Sequence, residues 1–165
     1  ERDEYIAAFK EADIVLAEFG AYGINILDTD PKVRQANIDE ICNRLEKADT
    51  MGAGCCVIHG GSVETGKWGT ANAENISQKS FDETIKIVQG IIDRVKPTTT
   101  KLVMETESYL FPDSPENYLD IITAVNRKEL AVHLDPINIT CTPRRVYNND
   151  EFLKSHLFLS LFQKT

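Results

Sequence analysis

Lys101-Leu102-Val103-Met104-Glu105 is the run on which the fold turns. Its apolar centre, closed by a carboxylate, reads as a short strand. Alternate side chains of a strand leave on opposite faces, so Val103 sides with Glu105 and Leu102 with Met104. Three other runs repeat the pattern. Cys55-Cys56-Val57-Ile58-His59 sets Val57 and His59 on one face, with Cys56 and Ile58 on the other. Leu130-Ala131-Val132-His133-Leu134-Asp135 pairs His133 with Asp135, and Val132 with Leu134. The run 13–19 pairs Leu16 with Glu18, and Val15 with Ala17. One face is apolar throughout; the other ends in a polar group on every strand.

Helical patterns fill the intervals. Residues 2–11 carry Tyr5, Ala8 and Phe9 on one side. Asp30-Pro31 supplies an N-cap and a first-turn proline, and an apolar stripe of Ile38, Ile41, Leu45 and Ala48 leads to Gly52 as C-cap. Ser80-Phe81-Asp82-Glu83 has the form of a capping box, followed by Ile85, Val88, Ile92 and Val95 and stopped by Pro97. Ser114-Pro115 opens another helix, with Tyr118, Ile121, Ile122 and Val125 inward. A last one is expected near Asp150, with Phe152, Leu153, Leu157, Phe158 and Leu161. Alternating strands and helices with apolar strands predict an α/β chain whose parallel sheet is covered by helices. An open doubly wound sheet would want both faces apolar. A (β/α) barrel accepts ionisable groups at the C-terminal mouth of its strands, so the parity favours part of a barrel, with about four parallel strands.

The 165 residues are 42% apolar and 27% charged, the balance of a globular domain, and are read as one domain over 1–165. No apolar run reaches the roughly 20 residues of a membrane helix, so no membrane partner is expected. The net charge of −8 makes nucleic acid an unlikely partner. Cys42, Cys55, Cys56 and Cys141 lack C-x-x-C spacing and are expected as buried, reduced thiols of a cytoplasmic protein. The sequons at Asn75 and Asn138 carry no weight without secretion.

Glu18, His59, Glu105, and His133 with Asp135 are thus expected at one rim. Carboxylates with imidazole suit a divalent metal such as Mn²⁺, Co²⁺ or Mg²⁺, and Zn²⁺ is compatible. Any one of these residues alone is more commonly a cap or a satisfied buried group. Four strands agreeing in phase favour a ligand or metal site.

The blocks Ala17-Glu18-Phe19-Gly20-Ala21, Val57-Ile58-His59-Gly60-Gly61-Ser62, Leu102-Val103-Met104-Glu105-Thr106 and Val132-His133-Leu134-Asp135-Pro136-Ile137-Asn138 resemble consecutive segments of the sugar phosphate isomerase/epimerase family. These are xylose isomerase-like TIM barrels, a superfamily that also holds endonuclease IV-type repair enzymes. The resemblance runs from about residue 5 to residue 152 and implies a partial TIM barrel. It implies that Glu105 binds a metal and takes part in acid/base work, and that Asp135 is the second metal carboxylate. It places His59 as a metal ligand in the endonuclease branch and as a pocket residue in the epimerases. Asn138 falls where many epimerases contact substrate, and His133 and Glu18 face the same space. Arg144 and Arg145 are candidates for holding a sugar phosphate or carboxylate, with a loop-bracing role equally open. Trp68 and Tyr109 are candidates to wall the pocket. Glu107 shares the parity of Glu105 but is expected in a turn.

The family's remaining Glu and His ligands have no counterpart after Asp135, since Glu151 and His156 fall in a helical pattern. The expected activity is a metal-dependent sugar or sugar phosphate isomerase or epimerase working through an enediolate, inactive if the short chain lacks essential strands. Alternatives are an endonuclease IV-like phosphodiesterase, or a half-barrel that binds a carbohydrate or a partner without turnover. Eight units at the spacing of these strand ends need roughly 310 residues, against about 250 for a typical barrel. The chain therefore reads as the middle four units, which leave an open edge, pair with another copy in a homo-oligomer, or continue into a longer protein.

Overall fold

In the computed structural model, which describes residues 2–154, helix α1 (Arg2–Glu11) precedes three β-α units and a fourth strand. The elements are β1 (Glu18–Gly20), α2 (Pro31–Met51), β2 (Cys55–Ile58), α3 (Gln78–Val95), β3 (Lys101–Glu105), α4 (Pro115–Val125) and β4 (Leu130–His133). Short helices α5 (Pro136–Ile139), α6 (Pro143–Tyr147) and α7 (Asn149–Phe152) follow. Leu157, Phe158 and Leu161 of the expected last helix, and His156, lie outside the described residues. Among those described, no helix is long and apolar enough to cross a membrane.

The caps set most helix boundaries. The Asp30 carboxylate accepts from the Lys32 and Val33 amides, and Gly52 closes α2 in the left-handed region at φ 73°. Ser114 caps α4 through the Asn117 amide. Helix α3 differs from expectation: it starts at Gln78, capped by Ser77, whose hydroxyl accepts from the Ser80 amide. Ser80 is instead in the first turn, its hydroxyl donating to Glu74 O.

The strands pair in parallel in the order β1-β2-β3-β4. The register runs Phe19 to Cys56, Cys56 to Leu102, and Leu102 to Leu130. Phe19, Cys56, Ile58, Leu102, Met104 and Leu130 therefore share one face, packed against Ile41, Leu45, Val88, Ile91, Tyr118 and Ile121 of the helices. The opposite face carries Glu18, Val57, Val103, Glu105 and His133, the division expected from parity.

Three strands are shorter than their sequence runs, β2 by one residue, since it stops at Ile58 just before His59. Strand β1 (Glu18–Gly20) holds only Glu18 and Phe19 of the run 13–19; ahead of it Leu16 O and Ala17 O still accept from the Gly54 and Cys55 amides. Strand β4 stops at His133 because Pro136 lacks an amide hydrogen and opens α5, leaving Asp135 as its N-cap. Cys42 and Cys56 are buried; Cys55 is half-buried and Cys141 is exposed, against the expectation for all four.

One contact separates a barrel from an open sheet. Glu18 on β1 and His133 on β4 lie within 3.1 Å. Three strand spacings of about 4.8 Å would hold their backbones roughly 14 Å apart on a flat sheet. The sheet must curl so that its polar face is concave. In register Glu18 lies opposite Cys55, and Cys55 opposite Lys101, well before His133 on β4. A barrel shear of about one residue per strand removes most of that offset. Four parallel strands in sequential order, helices outside and a concave polar face make a partial TIM barrel.

Candidate functional site

His59, one residue past β2, is the centre of the concave face. Its Nδ1 is 3.1 Å from Glu107 Oε1 and its Nε2 is 3.6 Å from Glu105 Oε2. The ring is buried, with Trp68 edge-on at 4.3 Å between centroids and Tyr22 at 5.1 Å. Burial pushes its pKa down to about 4, and positive charge on His133 adds to the effect.

Glu105 ends β3 beside it. Burial raises its pKa; charge on His133 opposes this, Asp135 and Glu18 add to it, and the Asn138 hydrogen bond opposes it. The Asn138 amide donates to Glu105 Oε1 at 3.1 Å. Glu107 is likewise raised by burial first, then by Glu105 and Asp135. A carboxyl held up in this way is a better proton acceptor near neutral pH than a free one.

Two links position the neighbouring strand. The Thr106 hydroxyl donates to Asp135 O at 2.9 Å and accepts from the Asp135 amide at 3.0 Å, tying the end of β3 to the corner after β4. The Tyr118 hydroxyl, from α4, reaches between the strands. It accepts from the amides of Met104 at 3.1 Å and His133 at 3.2 Å, and its hydrogen serves Met104 O and Ala131 O. His133 and Asp135 are thereby fastened at their backbones. The Asp135 side chain accepts from the Ile137 amide at 2.8 Å as the cap of α5.

The expected residues are therefore unevenly placed. His59, Glu105 and Asn138 form one contact group, and Glu18 with His133 a second. Glu18 opens β1 rather than ending it. Tyr22 donates to Glu18 Oε1, and its own pKa is raised by burial and by Glu18. Arg145, on α6, donates to Ile139 O at 2.9 Å, bracing α5, while Arg144 is exposed on the same helix. Tyr109 is exposed.

A family model described as xylose isomerase-like TIM barrel matches residues 1–159. The chain belongs to that family. Its TIM-barrel fold recurs in endonuclease IV from Thermus thermophilus, at 16% identity and TM-score 0.70, covering 93% of this chain and 52% of that one. D-psicose 3-epimerase with D-tagatose from Clostridium cellulolyticum is similar at 13% identity and TM-score 0.66, covering 86% and 50%. The IolI protein with a bound zinc atom is similar at 16% identity and TM-score 0.67, covering 84% and 48%. The chain spans about half the length of these structures. No curated protein matches it.

The donors of this site suit a divalent metal in kind, being carboxylates with imidazole. His133 Nδ1 is buried without a hydrogen-bond partner. Among the described residues, however, no group of three or more His, Cys, Asp or Glu is assembled to hold a metal ion.

Sequence reasoning set aside two groups that the structure makes prominent. Glu107 shared the parity of Glu105, and that was its signal. Asn75, noticed only as a sequon, is buried: it accepts from Val63 N at 2.7 Å and donates to Thr70 O and Tyr109 O, pinning the loop that carries Trp68. Asn25 does the same from the other side, donating to Ser62 O and Lys67 O, each at 2.8 Å. Neither has a local sequence signal, since both act over long separations.

Proposed function

We propose that this chain is the central part of a metal-dependent sugar or sugar phosphate isomerase or epimerase, with residues 1–165 forming one partial barrel domain. The observation that carries it is Glu105, a half-sequestered carboxyl with a raised pKa at the C-terminal end of a barrel strand, held by Asn138 beside buried His59. Glu105 takes the proton from the carbon next to a substrate carbonyl, giving an enediolate. Glu105 and Asp135 are the residues that would hold a divalent metal. Bound there, it supplies a Lewis acid for charge developing on the carbonyl oxygen. His59, His133, Asn138 and Glu18 line the concave face toward the sugar, and Arg144 and Arg145 are candidates for a phosphate or carboxylate. The partner is a small sugar, and a second copy completing the barrel is the proposed assembly. A cytoplasmic setting accords with its reduced thiols.

An endonuclease IV-like phosphodiesterase is the weaker reading: a phosphate backbone would have to approach Glu18, Glu105, Glu107 and Asp135 on a chain of net charge −8. A binding-only half-barrel predicts no proton exchange.

The test is uptake of solvent deuterium into a panel of ketoses, with Mn²⁺, Co²⁺, Mg²⁺ or Zn²⁺ added, beside metal titration by calorimetry. Exchange is expected to fall at least ~100-fold in Glu105→Gln. Metal binding is expected to weaken in Glu105→Gln and Asp135→Asn. Metal affinity unchanged in both variants would remove the site assignment, and no exchange with any metal would remove the isomerase reading.

A further inference from the structure

Glu107 is the side chain at this site without an assigned task. It stands two residues beyond Glu105 on a loop fastened at its own backbone, where the Glu107 amide donates to Pro112 O at 3.0 Å. The same loop presses on the backbone beside His59: a Cβ on Gly60 would lie 2.0 Å from Phe111 O. His59 therefore meets Glu107 across a close, defined contact.

We propose that Glu107 is a positioning residue that fixes the tautomer of His59, accepting Nδ1–H and turning the Nε2 lone pair toward Glu105.

The geometry argues this in steps. A neutral imidazole has one N–H and one lone pair, and here each nitrogen faces a carboxylate oxygen. The Glu107 oxygen, at 3.1 Å from Nδ1, is at hydrogen-bond distance; the Glu105 oxygen, at 3.6 Å from Nε2, is beyond it. The hydrogen belongs on the shorter contact. The reverse tautomer would set a lone pair against a carboxylate at 3.1 Å. Tyr22 and Trp68 hold the ring by its edges and faces, and the His59 side chain is only 8% exposed, so it cannot turn away to choose another partner.

With Glu105 ionised, the consequence is a pair of acceptors, His59 Nε2 and Glu105 Oε2, facing one another. Such a pair suits a donor shared by both, and a hydroxyl of a polyol substrate is the chemistry that fits. This use of Nε2 rests on the isomerase reading; the tautomer does not.

Two-bond ¹H–¹⁵N correlation spectra of histidine-labelled full-length chain at neutral pH, without added metal, test it directly. The wild type is expected to show His59 with Nδ1 protonated and Nε2 bare. In Glu107→Leu, which removes the acceptor, the order of the two nitrogen shifts should reverse as the hydrogen moves to Nε2. Glu107→Gln keeps an acceptor oxygen and should restore the wild-type order, which a merely space-filling role would not require. His133 signals in the same spectra report whether the fold is kept. A wild-type ring protonated at Nε2, or at both nitrogens, overturns the proposal even if no variant folds. So does an unchanged tautomer in a folded Glu107→Leu. Failure of deuterium uptake with the expected tautomer present would count against the isomerase reading alone.

Discussion

Asp49 is the residue whose contribution to stability is most clearly defined. Sitting near the C-terminus of α2, it accepts from the Thr98, Thr99 and Thr100 amides at 2.8 to 3.0 Å and from the Thr98 and Thr99 hydroxyls. Burial alone would raise its pKa, but these donors together hold the carboxyl well below the usual range. A depressed folded pKa means the unfolded chain takes up the proton first as pH falls. The stabilisation is therefore full above about pH 5, the top of the unfolded carboxyl's titration, and is lost progressively below it. Asp49→Ala should cost about 2 kcal/mol at pH 7 in urea denaturation, and the difference from wild type should shrink toward pH 3. A gap constant across that range would show that the carboxylate charge is not what the threonine turn recognises. Residues of this kind mark what the sequence hid. Glu105 and His59 were legible because strand parity is local, a matter of counting by two. Asp49, Asn25 and Tyr118 act across 13 to 51 residues of chain, and no periodicity announces which amide a carboxylate or hydroxyl will meet.

At the scale of elements, helices α2 and α4 were readable from their caps and stripes, since Asp30-Pro31, Gly52 and Ser114-Pro115 each perform locally what their chemistry suggests. The start of α3 was displaced because two serines compete three residues apart, and Ser77 takes the cap while Ser80 bonds back to Glu74. Strand limits were less readable, because a strand ends where its partner does. In the loop between β2 and α3, geometry explains two of the glycines. Gly60 and Gly61 are sites of close approach: a Cβ would meet Phe111 O at 2.0 Å and Leu27 N at 2.5 Å. These are backbone atoms, unable to rotate aside. Gly60→Ala must separate the loop after β2 from the loop after β3, which carry His59 and Glu107. Destabilisation of about 3 kcal/mol is expected by thermal or urea unfolding. Gly66→Ala is the control: nothing lies within 4 Å of its Cβ, so at φ +64° it should cost only about 1 kcal/mol of backbone strain. Equal losses in the two variants would mean that the loops are not in the close contact described.

The whole molecule presents two unfinished edges, and the concave site lies between them. Among the described residues, strand β1 pairs only with β2, and β4 only with β3. Before β1, Val15 is 84% exposed and Ile14 56%; beyond β4, Ile137 is 76% exposed. Ile137 belongs to helix α5, so it is the β1 edge, with Ile14 and Val15 exposed ahead of it, that is a template for pairing with another strand. If a second copy pairs along β1 to continue the barrel, a charge at the most exposed edge position should disrupt it without touching the site. Wild-type mass by light scattering should then rise with concentration above the 18.5 kDa of one chain, and Val15→Lys should remain near that value. The charge of −8 on each copy opposes association, so salt should strengthen it by screening, the reverse of an assembly held by ion pairs. Val33→Lys, on the outer surface of α2, controls for the added positive charge itself, which would lessen the repulsion wherever it was placed. A wild type that stays at one chain's mass at every concentration, or a Val15→Lys variant that associates as strongly as wild type, would place completion of the barrel outside this edge. The concave face would then be a half-shell, with Glu105, His59 and Asn138 on one wall.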